Sequence, residues 1–223
     1  MRLAIFDVDG TLVDSAAIIK AALAAAFAHE SVSLPETGRL LSVVGLSLGD
    51  AMAELAPDQP PAVHGRLAQS YKQAFWDLRA AGNHPEDLYD GAHALLERLR
   101  DDGVTLGIAT GKSRRGVAHL IAAHGFDGWF ATIQTADDHP SKPDPAMITA
   151  ALAETGCKSD AAIMIGDTSY DMAMAGAAGV AGAGVAWGNH SRDQLLAAGA
   201  RTIANNFNEL HGHLQELWEE RTR

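Results

Sequence analysis

The sequence predicts an α/β protein with a doubly wound, mostly parallel sheet and an inserted all-helical segment. Three observations indicate this fold class. Strand-like and helix-like segments alternate from residue 91 onward, residues 15–82 show helical patterns without a convincing strand, and an apolar start at residues 3–6 leads directly into acidic residues. Regular alternation of strands and helices is typical of a parallel sheet that is covered on both faces.

The first strand and the helical segment follow from local patterns. Residues 3–6 are apolar and end at Asp7. In the alanine-rich stretch after them, apolar residues recur at helical spacing, and Asp14 or Ser15 is the expected N-cap. The helices expected in this part of the chain span residues 15–27, 34–41, 48–55 and 62–81, and the last one ends at Gly82 and Asn83.

The rest of the chain predicts the elements of a parallel sheet. The expected strands are residues 104–109, 131–134, 161–165, 180–185 and 202–203, and the expected helices are residues 91–102, 113–124, 145–154, 169–178, 194–198 and 207–218. We therefore expect a catalytic core formed by residues 1–14 and 83–223, interrupted by a helical cap at residues 15–82. Because the cap leaves the chain beside the end of the first strand, it can close over a site there.

Composition and charge exclude several functional classes. The chain has 17 Lys and Arg residues and 28 Asp and Glu residues, a formal net charge of −11. A nucleic-acid-binding domain normally presents a basic face, so we expect no nucleic-acid partner. The N-terminus shows no secretory leader, and no apolar stretch is long enough to span a bilayer. The single cysteine, Cys157, cannot form an internal disulfide, so we expect a cytoplasmic protein without a membrane partner.

Two carboxylates follow the first predicted strand. Asp7 and Asp9 are separated by one residue, and Gly10 follows them. If the strand ends at Asp7, both acids lie at the carboxyl end of the sheet, where α/β proteins bind their ligands. One carboxylate can then attack an electrophile while the other transfers protons, provided that a cation offsets their charges.

Other predicted strand ends and loops carry residues that suit an anion and a metal ion. Thr110 and Gly111 follow the second strand and precede a helix, whose N-terminus offers free N–H groups. Lys142 lies in a proline-rich loop, and Asp167 and Asp171 follow a later strand. If these tips are neighbours in the sheet, their side chains converge on Asp7 and Asp9.

Such a convergence would place four carboxylates close together. They would repel one another strongly unless a hard cation neutralised them. A ligand set made only of oxygen atoms, without His or Cys, favours Mg²⁺. The hydroxyl of Thr110, the amine of Lys142 and the helix N-terminus suit a phosphoryl group. The pattern therefore predicts a phosphoryl-transfer site that works by positioning and charge stabilisation.

The chain resembles the haloacid dehalogenase-like hydrolase superfamily in the order and spacing of four motifs. These motifs are Asp7-Val8-Asp9-Gly10-Thr11, Thr110-Gly111, Lys142, and Gly166-Asp167 with Asp171. The resemblance runs the length of the chain, and the insert makes it similar to the phosphatase branch with a helical cap, close to the phosphoglycolate phosphatases. It implies a Rossmann-like core and Mg²⁺-dependent hydrolysis of a small phosphorylated metabolite, with 2-phosphoglycolate as one candidate.

The resemblance also implies a role for each motif residue. Asp7 would be the nucleophile that forms an aspartyl-phosphate. Asp9 would be the general acid for the leaving alcohol and then the base that activates water. Thr110, Gly111 and Lys142 would bind the phosphoryl group.

The same resemblance implies how Mg²⁺ would be held. Its protein ligands would be the carboxylates of Asp7 and Asp167 and the backbone carbonyl of Asp9, and Asp171 would be a further ligand or a partner of the ligands. We expect the protein to act as a monomer or a homodimer.

Asp9 separates the branches of this superfamily. The dehalogenases lack an acid at this position because carbon–halogen cleavage has no alkoxide to protonate, and the phosphonatases lack it as well. Sugar-phosphate mutases retain the acid but carry a cap histidine shortly after the first motif, whereas this chain has no histidine before His29. A sugar-phosphate mutase therefore stays as an alternative, and a binding module that keeps the fold without catalysis is a third hypothesis.

The cap segment at residues 44–50 resembles the substrate-specificity loop of the phosphatase branch. Gly45 would let the backbone approach the ligand, and Ser47 could bond to it. An ordinary turn between two helices explains the same residues equally well. Because the cap sets specificity in this branch, the core motifs leave nucleotides, pyrophosphate and sugar phosphates open as substrates.

Overall fold

A computed structural model describes residues 1–82 and 84–221 of the 223-residue chain. Asn83, where the predicted core resumes, and the last two residues of that core lie outside the described residues. The strands in chain order are β1 Arg2–Phe6, β2 Val13–Asp14, β3 Asp87–Leu88, β4 Val104–Thr110, β5 Phe130–Thr135, β6 Ala162–Gly166, β7 Ala181–Val185 and β8 Thr202–Ala204. The helices are α1 Ala16–His29, α2 Leu48–Leu55, α3 Pro61–Ala81, α4 Ala92–Asp101, α5 Arg114–His124, α6 Ala146–Thr155, α7 Ser169–Ala177, α8 Arg192–Ala197 and α9 Phe207–Arg221.

The main sheet has β1 near its middle. Within the described ranges it contains six strands in the order β5-β4-β1-β6-β7-β8, and every neighbouring pair is parallel. Phe6, the last residue of β1, pairs with Ile108 of β4 and with Ile165 of β6. The carboxyl ends of these three strands therefore meet at one edge, at the point where the strand order reverses. The predicted doubly wound α/β fold is confirmed.

The two faces of the sheet bury separate apolar clusters. Ala4 and Phe6 of β1 face a cluster that includes residues of α4 and α9. Leu3 and Ile5 face the opposite side, where α6 and α7 contribute methionines and alanines. Neighbouring β1 side chains thus alternate between two covered faces, which explains why the strand is apolar from residue 3 to residue 6.

The segment between β2 and β3, which we call the helical insert (residues 15–82), packs around an apolar cluster of its own. α1 and α3 lie against each other, and α2 packs on α3. The cluster includes Leu23, Met52 and Leu67, all of them buried. β2 and β3 pair in an antiparallel ribbon in which Val13 opposes Leu88, beside the points where the chain enters and leaves the insert.

The predicted helix at residues 34–41 is wrong. The structure has only a short 3₁₀ turn there, Thr37–Arg39, and irregular turns follow it. Gly38 lowers helix propensity, and Leu34 is exposed, so the apolar stripe that a packed helix needs is incomplete. Leu40 and Val43 are instead buried from the turns and join the cluster of the insert.

Other helix ends follow their expected signals. Ser47 begins α2 and Ser113 begins α5, and each side chain accepts a hydrogen bond from a backbone N–H of the first turn. Gly82 and Gly125 end α3 and α5 in the left-handed conformation, both with φ of 70°. At the start of α1 the carboxylate of Asp14 accepts from the N–H of Ala16 at 3.2 Å.

The described helices include none that is both long enough and apolar enough to cross a membrane.

Candidate active site

Asp7 lies directly after β1 and is buried at the centre of the sheet edge. Its N–H donates to the carbonyl of Ile165 at 2.9 Å, which fixes the backbone of the residue between β4 and β6. Both carboxylate oxygens are buried and accept no hydrogen bond of good geometry, although Lys142 Nζ lies 3.1 Å from Oδ1. Burial raises the pKa of Asp7 to about 6; Lys142 opposes this shift, and the charge of Asp171 adds to it.

Lys142 brings its amine to two carboxylates. Its Nζ donates to Asp171 Oδ1 at 2.6 Å and lies 3.1 Å from Asp7 Oδ1, with the side chain fully buried. Burial alone would lower the pKa of Lys142, but Asp171 and Asp7 raise it to about 12. The amine therefore stays charged and offsets part of the negative charge of the site.

Asp171 is held in place by the first turn of α7. Its Oδ2 accepts from the N–H and the hydroxyl of Thr168 at 3.0 and 2.7 Å, which completes a capping box. A Cβ at Gly166 would lie 2.3 Å from the Asp171 carboxyl carbon, so the end of β6 needs glycine to admit this side chain.

Asp167 is fixed by three donors from two loops. Thr11 Oγ1 donates to its Oδ1 at 2.9 Å, and the N–H and Nδ2 of Asn189 donate to its Oδ2 at 2.8 and 2.9 Å. Burial raises the pKa of Asp167 to about 8, and the neighbouring charges of Asp7 and Asp171 contribute. In the absence of a cation this carboxyl therefore tends to hold a proton.

The carboxylates of Asp7, Asp167 and Asp171 form a buried cluster in which one oxygen of each lies within 4.8 Å of the others. The donor set consists of oxygen atoms, as Mg²⁺ prefers, and two of those oxygens, on Asp7, have no other hydrogen-bond partner. A divalent cation would satisfy these oxygens and offset the burial and the mutual repulsion that raise the pKa values of Asp7 and Asp167. The residues present therefore fit a Mg²⁺ site.

The end of β4 approaches this cluster from the other side of β1. Thr110 is buried, and its Oγ1 accepts from the N–H of Lys112 at 3.2 Å. A Cβ on Gly111 would lie 2.7 Å from the carbonyl oxygens of both Gly45 and Leu46. Only glycine at this position lets the insert approach so closely.

The side chain of Asp9 is not part of the carboxylate cluster and pairs with Lys112. Lys112 Nζ is 2.8 Å from Asp9 Oδ1 and 2.9 Å from Glu86 Oε1. Glu86 in turn accepts hydrogen bonds from the guanidinium of Arg79, which lies near the end of α3 in the insert. Burial alone would lower the pKa of Lys112, but the charges of Asp9 and Glu86 outweigh this effect and raise the pKa. Four alternating charges thus link the insert to Asp9.

A cavity of about 120 Å³ opens beside Asp7 and Asp9. Its floor comes from the core, including Thr110 and Gly111, and its walls come from the insert, including Gly45. Burial raises the pKa of Tyr71 on this wall, and the nearby charges of Asp9 and Glu86 add to the shift. The arrangement encloses the carboxylates together with any group bound above them.

The insert is attached to the core near the site by polar contacts. The N–H of Ser47 donates to Ser141 Oγ at 2.7 Å, beside Lys142. The carbonyl of Ser42 accepts from Tyr170 Oη and from His190 Nε2, each at 3.1 Å. The hydroxyl of Ser47 bonds to Asp50 as the N-cap of α2, so its role in substrate specificity stays a prediction.

Comparison with known proteins agrees with this geometry. The family model described as haloacid dehalogenase-like hydrolase matches residues 4–185. The chain belongs to the haloacid dehalogenase-like hydrolase family. A protein named "Probable phosphatase IndB" from Dickeya dadantii is 33% identical over 96% of this chain and 94% of its own length. A phosphoglycolate phosphatase from Rhodospirillum rubrum is 31% identical over 92% of this chain and 88% of its own.

Solved structures of the family share the whole architecture. The crystal structure of "a predicted phosphatase from Clostridium acetobutylicum" matches with a TM-score of 0.86 and 29% identity, over 96% of this chain and 98% of that one. Because these matches cover nearly the full length, they include the helical insert as well as the sheet. This member is thus a hydrolase of the family, in the branch whose proteins are named phosphatases.

The residues that connect Asp9 to the insert were not predicted from the sequence. Lys112 directly follows the Thr110-Gly111 motif, so its position at a strand end was a usable signal. Glu86 and Arg79 had no such signal, because neither residue lies in a motif and their pairing exists only in the folded chain. Thr11 belongs to the first motif, but its bond to Asp167, like that of Asn189, is known only from the structure.

Proposed function

We propose that this protein is a Mg²⁺-dependent phosphatase that hydrolyses a small phosphomonoester in two steps through Asp7. The observation that carries the proposal is the state of the Asp7 carboxylate. It is buried, its oxygens accept no hydrogen bond of good geometry, its Oδ1 lies 3.1 Å from the amine of Lys142, and it borders the cavity. A carboxylate that is desolvated but charge-compensated on one side is suited to attack phosphorus.

In the first step an oxygen of Asp7 bonds to phosphorus while the bond from phosphorus to the ester oxygen breaks. For this step Asp9 must carry a proton and turn from Lys112, with which it is paired here; it then gives that proton to the departing alkoxide, which leaves as the alcohol. Thr110, the Gly111 N–H and Lys142 hold the phosphoryl oxygens. Lys142 can do this because its Nζ already lies between Asp7 and Asp171.

In the second step water attacks the aspartyl-phosphate, and Asp9 accepts the proton that the water loses. The bond from Asp7 to phosphorus breaks, inorganic phosphate leaves, and both carboxyl groups return to their starting forms. The exchange needs no co-reactant other than water.

Mg²⁺, when bound, would neutralise charge on the phosphoryl oxygens and on the carboxylates. We propose Asp7, Asp167 and the backbone carbonyl of Asp9 as its protein ligands. Asp171 is fully bonded to Lys142 and Thr168, which supports a role as a partner that positions Lys142. Thr11 and Asn189 would orient Asp167 toward the ion.

We further propose that residues 15–82 act as a cap over residues 1–14 and 83–223, and that the protein works in the cytoplasm on a small metabolite. The tight approach of Gly45 to Gly111 supports closure of the insert over the site. A buried free thiol at Cys157 supports a reducing compartment. A monomer or a homodimer is compatible with one complete site per chain.

The experiment is an assay of released inorganic phosphate with p-nitrophenyl phosphate and with 2-phosphoglycolate, which the name of one relative suggests. We expect activity with Mg²⁺, none in excess chelator, and inhibition by Ca²⁺, which tolerates extra ligands and a looser geometry. Full activity in chelator would contradict the metal assignment. Sugar phosphates converted to isomers without stoichiometric phosphate release would support the mutase instead.

A further inference from the structure

Lys112 is a buried cation that contacts two carboxylates at once. Its Nζ lies 2.8 Å from Asp9 Oδ1 and 2.9 Å from Glu86 Oε1, and its side chain is only 7% exposed. Asp9 takes part in the proposed reaction, whereas Glu86, which directly precedes β3, has no step in it. Because the two partners lie at nearly equal distances, the ammonium keeps one carboxylate if the other moves away.

Glu86 is held in place through both oxygens of its carboxylate and through its backbone. Arg79 donates to Oε2 from Nε at 2.7 Å and also from Nη2, which leaves Oε1 for Lys112. Arg79 Nη1 is buried without a hydrogen-bond partner among the described residues, so Glu86 is the carboxylate on which this guanidinium depends. The backbone carbonyl of Glu86 accepts from His124 Nε2 at 3.2 Å. The carboxylate therefore stays beside Lys112 whether or not Asp9 does.

The first step of the proposed reaction requires Asp9 to leave its pair with Lys112. Asp9 can protonate the departing alkoxide only when it turns toward the group that is bound on Asp7. The nearly buried ammonium of Lys112 then loses one carboxylate, and a buried charge without a partner is costly. Glu86 removes that cost, because its Oε1 remains paired with the ammonium.

If the protein is the phosphatase proposed above, we propose that Glu86 is a positioning residue for the general acid, because it keeps Lys112 paired while Asp9 turns to the leaving group. Glu86 is not among the described residues that line the cavity, so it has this effect without touching the substrate. It acts on the step in which a proton is given to the leaving group. Its contribution should therefore grow with the need of the leaving group for that proton.

The test is Glu86→Gln, which keeps the shape of the side chain and removes its charge. Single-turnover release of benzyl alcohol from benzyl phosphate and of p-nitrophenol from p-nitrophenyl phosphate, both with Mg²⁺, compares a leaving group that needs a proton with one that does not. We expect the maximal rate to fall about tenfold or more with benzyl phosphate and to stay within about threefold with p-nitrophenyl phosphate. The substrate concentration that gives half of the maximal rate should change by less than about twofold, since Glu86 does not bind the substrate.

Glu30→Gln is the matched control for the loss of a carboxylate. The Glu30 side chain is 11% exposed, as is that of Glu86, and it accepts from Arg66 Nε at 2.8 Å, but it does not line the cavity. Both esters should react at their ordinary rates in this variant.

A second variant allows for the possibility that Glu86→Gln does not fold. Glu86→Gln leaves the charge of Arg79 without its carboxylate, whereas Arg79→Gln/Glu86→Gln removes both charges. Lys112 loses its second carboxylate in either variant. The double variant should therefore show the same selective loss with benzyl phosphate.

The background variant Lys112→Met distinguishes positioning from a purely structural role. Glu86→Gln added to Lys112→Met should change neither ester by more than about twofold, because no ammonium remains to be paired. A structural role that Glu86 exerts through Arg79 would persist in this background and lower the rate again.

The results separate this inference from the proposed function. A loss confined to benzyl phosphate that disappears in the Lys112→Met background supports the inference. An equal loss with both esters, an undiminished rate with benzyl phosphate, or a further loss in the Lys112→Met background would overturn it while leaving the phosphatase proposal intact. No phosphate release from either ester by the unmodified protein with Mg²⁺ would overturn the proposed function and this inference with it.

Discussion

Lys112 and Asp9 form an ion pair at the edge of the active-site cavity, with Nζ 2.8 Å from Oδ1. The pair joins the loop after β4 to the loop after β1. Because Lys112 also bonds Glu86, and Glu86 bonds Arg79 of the insert, the orientation of Asp9 is coupled to the position of the insert. The side chain that we propose as the general acid is thus held by contacts that also reach the insert.

Lys112→Met should lower both stability and turnover. The substitution leaves Asp9 and Glu86 as two nearly buried carboxylates without their shared cation, at a cost of about 3–5 kcal/mol. We expect kcat to fall by about 10²-fold because Asp9 is no longer held in place. Thermal melting and steady-state phosphate release measure the two effects. Lys158→Met, at an exposed lysine, is the control, and unchanged kcat in Lys112→Met would refute the positioning role.

Asp9→Asn should impair esters of poor leaving groups far more than esters of good ones. We expect kcat to fall by about 10²–10⁴-fold with an alkyl phosphate such as benzyl phosphate, whose alkoxide needs a proton. With p-nitrophenyl phosphate the loss in the first step should be much smaller, because the phenolate leaves without help. Single-turnover measurements of alcohol or phenol release test this difference. An equal loss with both esters would contradict the assignment of Asp9 as the acid.

Gly111→Ala should displace the insert from the core. The added Cβ would overlap the backbone carbonyls of Gly45 and Leu46, at 2.7 Å from each, and backbone atoms cannot move aside as a flexible side chain can. We expect kcat/KM to fall by about tenfold or more, because the site no longer excludes water as well. Gly176→Ala is the control: a Cβ there meets nothing within 4 Å, and alanine should stabilise the helix by up to about 1 kcal/mol. Equal activity of the two variants would contradict the close approach.

The stability of the metal-free protein should fall as pH rises from about 4 to about 8 and level off above that. The folded state raises the pKa of Asp7 to about 6 and of Asp167 to about 8, so it binds protons that the unfolded chain has already released. Stability therefore declines through this pH range. Mg²⁺ competes with those protons, so it should raise Tm more at pH 8.5 than at pH 5.5. The comparison is Tm against pH in chelator and in Mg²⁺.

Asp167→Asn serves as the control for this pH dependence. The variant lacks the carboxyl whose pKa is raised most, so its metal-free Tm should change less between pH 6 and 8.5, and Mg²⁺ should stabilise it little. A Mg²⁺-induced shift in Tm that is the same at both pH values in the unmodified protein would show that these carboxyls are not the ones that bind the ion.

Much of the fold was accessible from the sequence because its elements carry strong local signals. β1, β4 and β6 are mostly apolar because both faces of the sheet are covered. α2 begins at the expected residue because Ser47 supplies its N-cap, and it also ends where expected, at Leu55. The meeting of Asp7 with Asp167 then follows from topology, because β6 is a direct neighbour of β1.

The features that escaped prediction depend on tertiary contacts. Leu40 and Val43 resemble part of a helix by spacing, yet they are buried from irregular turns, because packing in the insert outweighs weak local propensity. β2 and β3 have two residues each, too few for any periodic pattern. The pairing of Lys112 with Glu86 joins residues 26 positions apart, and nothing in either local sequence announces it.

The central claim is that Asp7 takes the phosphoryl group, and Asp7→Asn tests it most directly. The substitution removes a charge that is repelled by Asp171 and costly to bury, so the variant should fold and melt at no lower a temperature than the original protein in chelator. Its rate of phosphate release from p-nitrophenyl phosphate with Mg²⁺ should fall by at least about 10³-fold. A folded Asp7→Asn protein that releases phosphate at a near-normal rate would contradict the account.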